Sequence, residues 1–106
     1  MNKIGIIGGG QLAKMMVLAG YPLGQRFVVL DPSEDAAGAV VANEHLKGAY
    51  DDQNKLSQLA EQCDVVTFDF ENVPANALRL LESKVTTYPP SMALEMSQDR
   101  QPGRVR

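Results

Sequence analysis

A carboxylate and an amide stand side by side in the segment TFDFENVP, residues 67–74, as Glu71 and Asn72. The segment continues from the apolar run DVVTF, so the pair is predicted at the carboxyl end of a strand. Together they can accept and donate hydrogen bonds, which suits a small polar ligand with hydroxyl or amino groups. The structural alternative is that Glu71 caps the helix that begins near Pro74, because acidic side chains stabilise helix N-termini.

A second candidate site is the glycine-rich turn in IGIIGGGQLAKMM, residues 4–16. Gly8, Gly10 and Ala13 fit the spacing G-x-G-x-x-A, and Asp31 ends the next apolar run, where a ribose-binding acid would lie. Alone, these features favour an NAD(P)-binding Rossmann domain of an oxidoreductase or a regulatory sensor. Two other interpretations stay open: the glycines only let a helix pack closely on a strand, or Gln11 at the turn binds a small polar ligand.

These candidates need a scaffold, and short apolar runs alternate with amphipathic segments along the chain. Strands are predicted at residues 3–8, 26–30, 45–50, 64–68 and 85–88, with helices near 12–19, 51–62, 74–83 and 91–100 and a short helix or turn at 36–41. The alternation predicts an α/β fold: a Rossmann-like open parallel sheet with helices on both faces. Ligands of such sheets bind at the carboxyl ends of strands. The segments after the first, second and fourth strands, residues 8–11, 31–32 and 69–74, are therefore expected at one edge.

Helical spacing predicts which side chains are buried. The first helix is expected to bury Leu12, Met15, Met16 and Ala19, which recur at i, i+3, i+4 and i+7. In later helices the inward positions are predicted to be Leu56, Leu59, Ala60, Cys63, Val73, Ala77 and Leu81.

Composition excludes several classes of protein. The chain has 106 residues, one cysteine and a formal net charge of −3, which predicts one small domain without a disulfide and argues against nucleic-acid binding. No apolar run reaches the ~20 residues that span a bilayer, and no cleavable leader is evident. These features predict a cytoplasmic protein that binds neither membrane nor nucleic acid. No metal site is predicted, because His45 has no second His or Cys nearby.

Five motifs in fixed order carry a family resemblance: GGGQLAKM, LDP, NEHLKGAYDD, TFDFENVP and YPPSMALEMSQDR. The set resembles the N-terminal, pre-ATP-grasp domain of the N5-carboxyaminoimidazole ribonucleotide synthase family of the ATP-grasp superfamily. The resemblance implies an ATP-dependent ligase of purine biosynthesis that carboxylates 5-aminoimidazole ribonucleotide with bicarbonate. It also implies ATP and Mg²⁺ as cofactors, with most of their ligands in other domains, and a homodimer for the intact protein.

The same resemblance assigns residues to roles. It implies that Gln11 and Leu12 of the glycine loop, with Glu71 and Asn72, bind the aminoimidazole ribonucleotide, and that Arg100 contacts ATP. A solvated helix end is the structural alternative for Arg100. No catalytic residue is assigned within the chain.

The chain departs from the family pattern after Arg100. Family members continue into a central and a C-terminal domain, whereas here residues 101–106 read QPGRVR. We expect residues 1–100 to form the substrate-binding domain, residues 101–106 to be a divergent tail, and this chain alone to be inactive. A third interpretation is an interaction fragment, which predicts a large exposed apolar patch.

Overall fold

The computed structural model describes residues 3–69 and 75–89. Its five strands form one parallel sheet in the order β3-β2-β1-β4-β5. The strands are β1 Lys3–Ile7, β2 Arg26–Asp31, β3 Glu44–Lys47, β4 Val65–Phe68 and β5 Thr86–Thr87. The helices of this part of the chain are α1 Gln11–Gly20, α2 Ala37–Val41, α3 Gln53–Gln62 and α4 Ala75–Glu82, with a short 3₁₀ turn at Tyr21–Leu23. The predicted α/β fold with a parallel sheet is confirmed.

Two apolar layers pack on opposite faces of the sheet, because successive strand residues point to opposite sides. On one face, Ile4 and Ile6 of β1 pack with α1 and α2. On the other face, Ile7 packs with Leu59 of α3 and Leu81 of α4. Helices therefore cover both faces, as the sequence predicted.

The sequence predicts a helix over 51–62, and in the structure α3 begins at Gln53 with Asp52 as its N-cap residue. The Asp52 carboxylate accepts hydrogen bonds from the amides of Asn54 at 3.0 Å and Lys55 at 3.2 Å. These amides belong to the first helical turn and have no partner within the helix, so the side chain satisfies them.

The buried face of α1 differs from the prediction. Met16 is fully buried as expected, but Met15 is 52% exposed, so the prediction for Met15 is wrong. The fully buried face consists of Ala13, Met16, Val17 and Gly20. Small residues let α1 approach its neighbours: a Cβ at Gly20 would lie 2.4 Å from the Phe27 ring, and one at Gly38 would lie 2.7 Å from the Ala13 Cβ.

Exposed large apolar side chains in the described residues lie on α1, the turn after it and α2. They are Met15, Leu18, Tyr21 and Val40. The exposed positions of α3 and α4 are instead polar or small, so the two helical layers differ in surface character. Within these ranges no helix is long and apolar enough to cross a membrane. The predicted helix at 91–100 and the inward position of Val73 lie outside the described residues.

Candidate functional site at the carboxyl edge of the sheet

The described parts of the three segments predicted to share one edge, namely the turn after β1, Asp31 and Asp69, meet there. The Gly8 amide donates to the Leu30 carbonyl at 2.8 Å, and the Asp69 amide donates to the Ile7 carbonyl at 2.9 Å. Gly8 has φ +99°, a left-handed conformation that glycine adopts without a steric penalty. The turn after β1 therefore lies between the ends of β2 and β4.

Asp31 is buried beside this turn, and its carboxylate accepts three hydrogen bonds from the same chain. One carboxylate oxygen accepts from the Gly9 amide at 2.7 Å and the Tyr50 hydroxyl at 3.0 Å. The other accepts from the Ser33 amide at 2.8 Å. Burial, and next the hydrogen bond to Asp31, raise the pKa of Tyr50, so its hydroxyl stays a proton donor to this carboxylate. Asp31 thus holds the loop in place.

Asp69 occupies the N-terminus of α1. Its carboxylate accepts from the Gly10 amide at 2.5 Å and the Ala13 amide at 3.0 Å. Burial raises the pKa of Asp69; the Gly10, Ala13 and Leu12 amides oppose this effect, and the Asp31 charge adds to it. The carboxylate therefore takes the place that a bound anion takes at other helix N-termini.

The chain's own contacts explain the glycines at positions 9 and 10. A Cβ at Gly10 would lie 2.2 Å from an Asp69 carboxylate oxygen. A Cβ at Gly9 would lie 2.9 Å from the Ala36 Cβ, and the Gly9 carbonyl accepts from the Gly38 amide at 2.7 Å. Close approach of a pyrophosphate is not needed to explain either glycine.

This arrangement argues against the dinucleotide interpretation. The Gly10 and Ala13 amides, which would face a pyrophosphate, are bonded to Asp69. Asp31, which would bind a ribose, is 6% exposed and already has three donors. Both features on which an NAD(P) site rested therefore serve internal structure.

The remaining candidate residues from the sequence differ in exposure, and three of them lie outside the described residues. Gln11 is the first residue of α1 and is exposed at this edge, so its amide is accessible to a ligand. Leu12 is partly buried and packs against the apolar layer beneath α1. Glu71, Asn72 and Arg100 lie outside the described residues, and their assigned roles stay predictions.

Sequence reasoning missed Asp69 and Tyr50. Asp69 directly follows β4, and an acidic residue at the end of a strand next to the glycine turn can reach the first turn of α1. That position was the available signal, although Glu71, two residues further on, is the acidic residue that the motif singles out. Tyr50 carries no comparable signal, since its hydroxyl meets Asp31 only through the pairing of β2 with β3.

The described residues contain no cluster of three or more His, Cys, Asp or Glu side chains that could hold a metal ion. The two carboxylates of the edge accept N–H and O–H donors instead.

The described residues thus form a parallel α/β domain whose glycine turn donates hydrogen bonds to carboxylates of the same chain, an arrangement that does not favour a dinucleotide site. Over residues 1–98, the chain matches the ribonucleotide synthetase preATP-grasp domain. The match covers most of the chain, and the chain belongs to this family.

Individual relatives narrow the resemblance further. The chain is 49% identical over 98 residues to an N5-carboxyaminoimidazole ribonucleotide synthase of Pseudomonas aeruginosa, covering 92% of this chain and 27% of the relative. It is also similar to the crystal structure of the Thermus thermophilus synthetase, with a TM-score of 0.75 and 50% identity over 92% of this chain and 27% of that one. The resemblance stated from the motifs is confirmed.

One further structure shows ligands in a relative. The Aspergillus clavatus N5-carboxyaminoimidazole synthase, in complex with ADP and 5-aminoimidazole ribonucleotide, matches with a TM-score of 0.73. It is 32% identical, and the match covers 89% of this chain and 25% of that one. This chain thus spans about a quarter of the length of the proteins it matches.

Proposed function

We propose that this chain supplies the N-terminal, substrate-binding part of an N5-carboxyaminoimidazole ribonucleotide synthase. The observation that carries the proposal is the carboxyl edge, where an exposed glutamine stands beside a glycine turn already closed by internal carboxylates. Such an edge offers carboxylate acceptors and the side-chain amide of Gln11, whereas the backbone amides that could bind an anion are already hydrogen-bonded. It suits the hydroxyl and amino groups of an aminoimidazole riboside better than a dinucleotide pyrophosphate.

The proposed reaction is an ATP-dependent carboxylation. A bicarbonate oxygen attacks the γ-phosphorus of ATP, and ADP leaves, so that the carboxyl carbon acquires phosphate as a leaving group. The exocyclic amine of 5-aminoimidazole ribonucleotide then attacks that carbon, releasing phosphate and a proton. Catalysis of this kind depends mainly on positioning and charge stabilisation, and this domain would contribute the positioning of the amine.

Within this proposal, Gln11, Leu12, Glu71 and Asn72 contact the aminoimidazole ribonucleotide, and Arg100 contacts ATP. Exposure of Gln11 at the start of α1 supports its role. Leu12 would contribute only its accessible edge, since it is partly buried against the core. Glu71 would accept from ribose hydroxyls or the ring amine, and a guanidinium at position 100 suits phosphate oxygens.

The finer features of the proposal concern the intact protein. ATP binding is supported by the relative crystallised with ADP and the ribonucleotide. Magnesium would neutralise the ATP phosphates, with its ligands supplied outside the described residues. Bicarbonate as co-substrate, a homodimer and a cytoplasmic location complete the proposal, and the single buried cysteine suits a reducing compartment.

A chimera tests the proposal directly. Residues 1–98 of this chain replace the matched N-terminal part of the Pseudomonas aeruginosa synthase, and ATP turnover is measured with and without 5-aminoimidazole ribonucleotide. We expect turnover that depends on the ribonucleotide. Gln11→Ala and Glu71→Gln should raise KM for the ribonucleotide with little change in KM for ATP, because they remove contacts to one substrate only.

Matched controls separate binding from folding. Gln58 and Glu82 are exposed on α3 and α4, away from the edge, so Gln58→Ala and Glu82→Gln should leave both KM values unchanged. A folded chimera without ribonucleotide-dependent turnover would contradict the proposal. So would saturable binding of NAD by the chain itself in calorimetry.

A further inference from the structure

The N-terminus of α1 is closed by a side chain of the same chain. The Gly10 and Ala13 amides both donate to the Asp69 carboxylate. Asp69 lies 59 residues after Gly10 in the sequence. Amides of this kind are the groups that bind phosphate in many α/β domains. Here they already have the Asp69 carboxylate of the same chain as their partner.

The space and the charge at the turn lead to the same conclusion. One Asp69 carboxylate oxygen lies so close to Gly10 that a Cβ at that residue would be only 2.2 Å from it. The adjacent Gly9 amide donates to a second carboxylate, that of Asp31. An incoming phosphate would therefore have to displace one carboxylate and approach another, in a partly buried setting where charges are weakly screened.

We infer that Asp69 is a specificity-determining residue that excludes phosphate groups from the glycine turn. A nucleotide bound at this edge then presents its uncharged ribose or base to the turn and places its phosphate elsewhere. The identity of the nucleotide rests on the proposed function, whereas the exclusion of phosphate rests on the geometry of Asp69 at the turn and does not depend on that identity.

The same carboxylate can hold the neutral part of a ligand. A carboxylate offers about four lone-pair positions. The Gly10 and Ala13 amides donate to Asp69, and the Leu12 amide also interacts with it. Its side chain is only partly buried, so its accessible oxygen surface can accept a ribose hydroxyl or amine donor. One group thus rejects an anion and accepts a hydroxyl at the same place.

Inorganic phosphate is the probe for exclusion. Phosphate is titrated into the chain while the amide resonances of Gly10 and Ala13 are followed by NMR. We expect no saturable shift in the wild type over the range of phosphate concentrations in which Asp69→Ala saturates, so the apparent affinity of the variant is at least about tenfold above any weak binding by the wild type. Glu61→Ala removes one negative charge from an exposed position on α3 and should behave like the wild type.

A second variant covers loss of folding. Asp69→Asn keeps the shape of the side chain but has no charge, so its phosphate affinity should lie between those of the wild type and Asp69→Ala. If Asp69→Ala does not fold, the comparison of Asp69→Asn with the wild type decides. Equal phosphate binding in a folded variant and the wild type, whether present or absent in both, overturns the inference.

The ligand's orientation is tested separately with 5-aminoimidazole riboside and its 5′-phosphate. Both should shift the Gly10 and Ala13 resonances of the wild type to a similar extent, because the phosphate does not face the turn. Shifts caused only by the phosphorylated compound and by inorganic phosphate overturn the inference and leave the proposed function standing. If neither compound binds this chain and the chimera described above shows no ribonucleotide-dependent turnover, the proposed function fails, while the phosphate titration of Asp69→Ala still decides the exclusion.

Discussion

The Asp31 carboxylate accepts a 2.7 Å hydrogen bond from the Gly9 amide, 22 residues earlier in the chain. This bond ties the turn after β1 to the end of β2. Because the same oxygen also accepts from the Tyr50 hydroxyl at 3.0 Å, it links the turn to the segment after β3 as well. An acid in the position of a ribose-binding residue has become part of the framework of the loop.

Asp31→Asn should therefore destabilise the fold rather than alter ligand choice. The single side-chain oxygen of asparagine cannot accept from all three donors, and the NH₂ group that replaces the other oxygen would face an N–H or O–H donor. We therefore expect a loss of about 2–3 kcal/mol in the free energy of unfolding. Tyr50→Phe removes one donor and should cost about 1 kcal/mol. Urea denaturation of both single variants and the double variant measures the coupling; additive losses would contradict a shared hydrogen-bond network.

The sequence predicted the sheet, its two helical layers and the meeting of three strand ends at one edge. These follow from apolar periodicity and the geometry of parallel strands. Of the fully buried face of α1 it predicted only Met16. Ala13 and Gly20 contribute to packing by being small, and a pattern of large apolar residues does not identify them. Nor did it predict that Asp69 would satisfy the Gly10 amide, since this contact depends on strand order.

Gly10→Ala tests whether Asp69 is the reason for the glycine. Gly10 has φ −81°, which alanine adopts without strain, so the cost arises from the Cβ contact with Asp69. We expect a loss of about 2 kcal/mol in the wild type and a much smaller loss in an Asp69→Ala background, both measured by urea denaturation.

Gly24→Ala provides the contrasting control. Gly24 has φ +82° and no atom within 4 Å of an added Cβ, so its cost of about 1–2 kcal/mol comes from backbone conformation alone. That cost should be the same with or without Asp69. An undiminished effect of Gly10→Ala in the Asp69→Ala background would show that the contact is not the cause.

Two adjacent methionines test the buried face of α1. Met15 is 52% exposed and Met16 is fully buried. Met15→Ala should change the free energy of unfolding by less than about 0.5 kcal/mol, whereas Met16→Ala should cost about 2–5 kcal/mol because it leaves a cavity. Thermal and urea denaturation of the pair compare the same substitution at consecutive positions, and similar losses at both would contradict the packing described.

The Cys63 thiol should be unreactive in the folded chain. Burial is the main cause that raises its pKa from 9.0 to about 12; Lys3 opposes the shift, and Asp64 and Glu44 add to it. At pH 8 the thiolate fraction is then about a thousandfold lower than in the unfolded chain, and the thiolate is the nucleophile. Iodoacetamide labelling followed by mass spectrometry should be slow in buffer and fast in urea; equal rates would contradict a buried thiol.

The same thiol makes stability depend on alkaline pH. Because the folded pKa lies above the unfolded one, the contribution of Cys63 to stability is fully present below pH 9.0 and is lost as pH rises towards about 12. Urea denaturation between pH 8 and 10.5 should therefore show stability that falls with pH, and Cys63→Ala should reduce that slope. Tyr50 also has a raised pKa, so Tyr50→Phe is the control that isolates its share. If the slope is the same in wild type and Cys63→Ala, the thiol ionises as readily in the fold as in the unfolded chain, and the burial of Cys63 beside Gly5 of β1 cannot be correct.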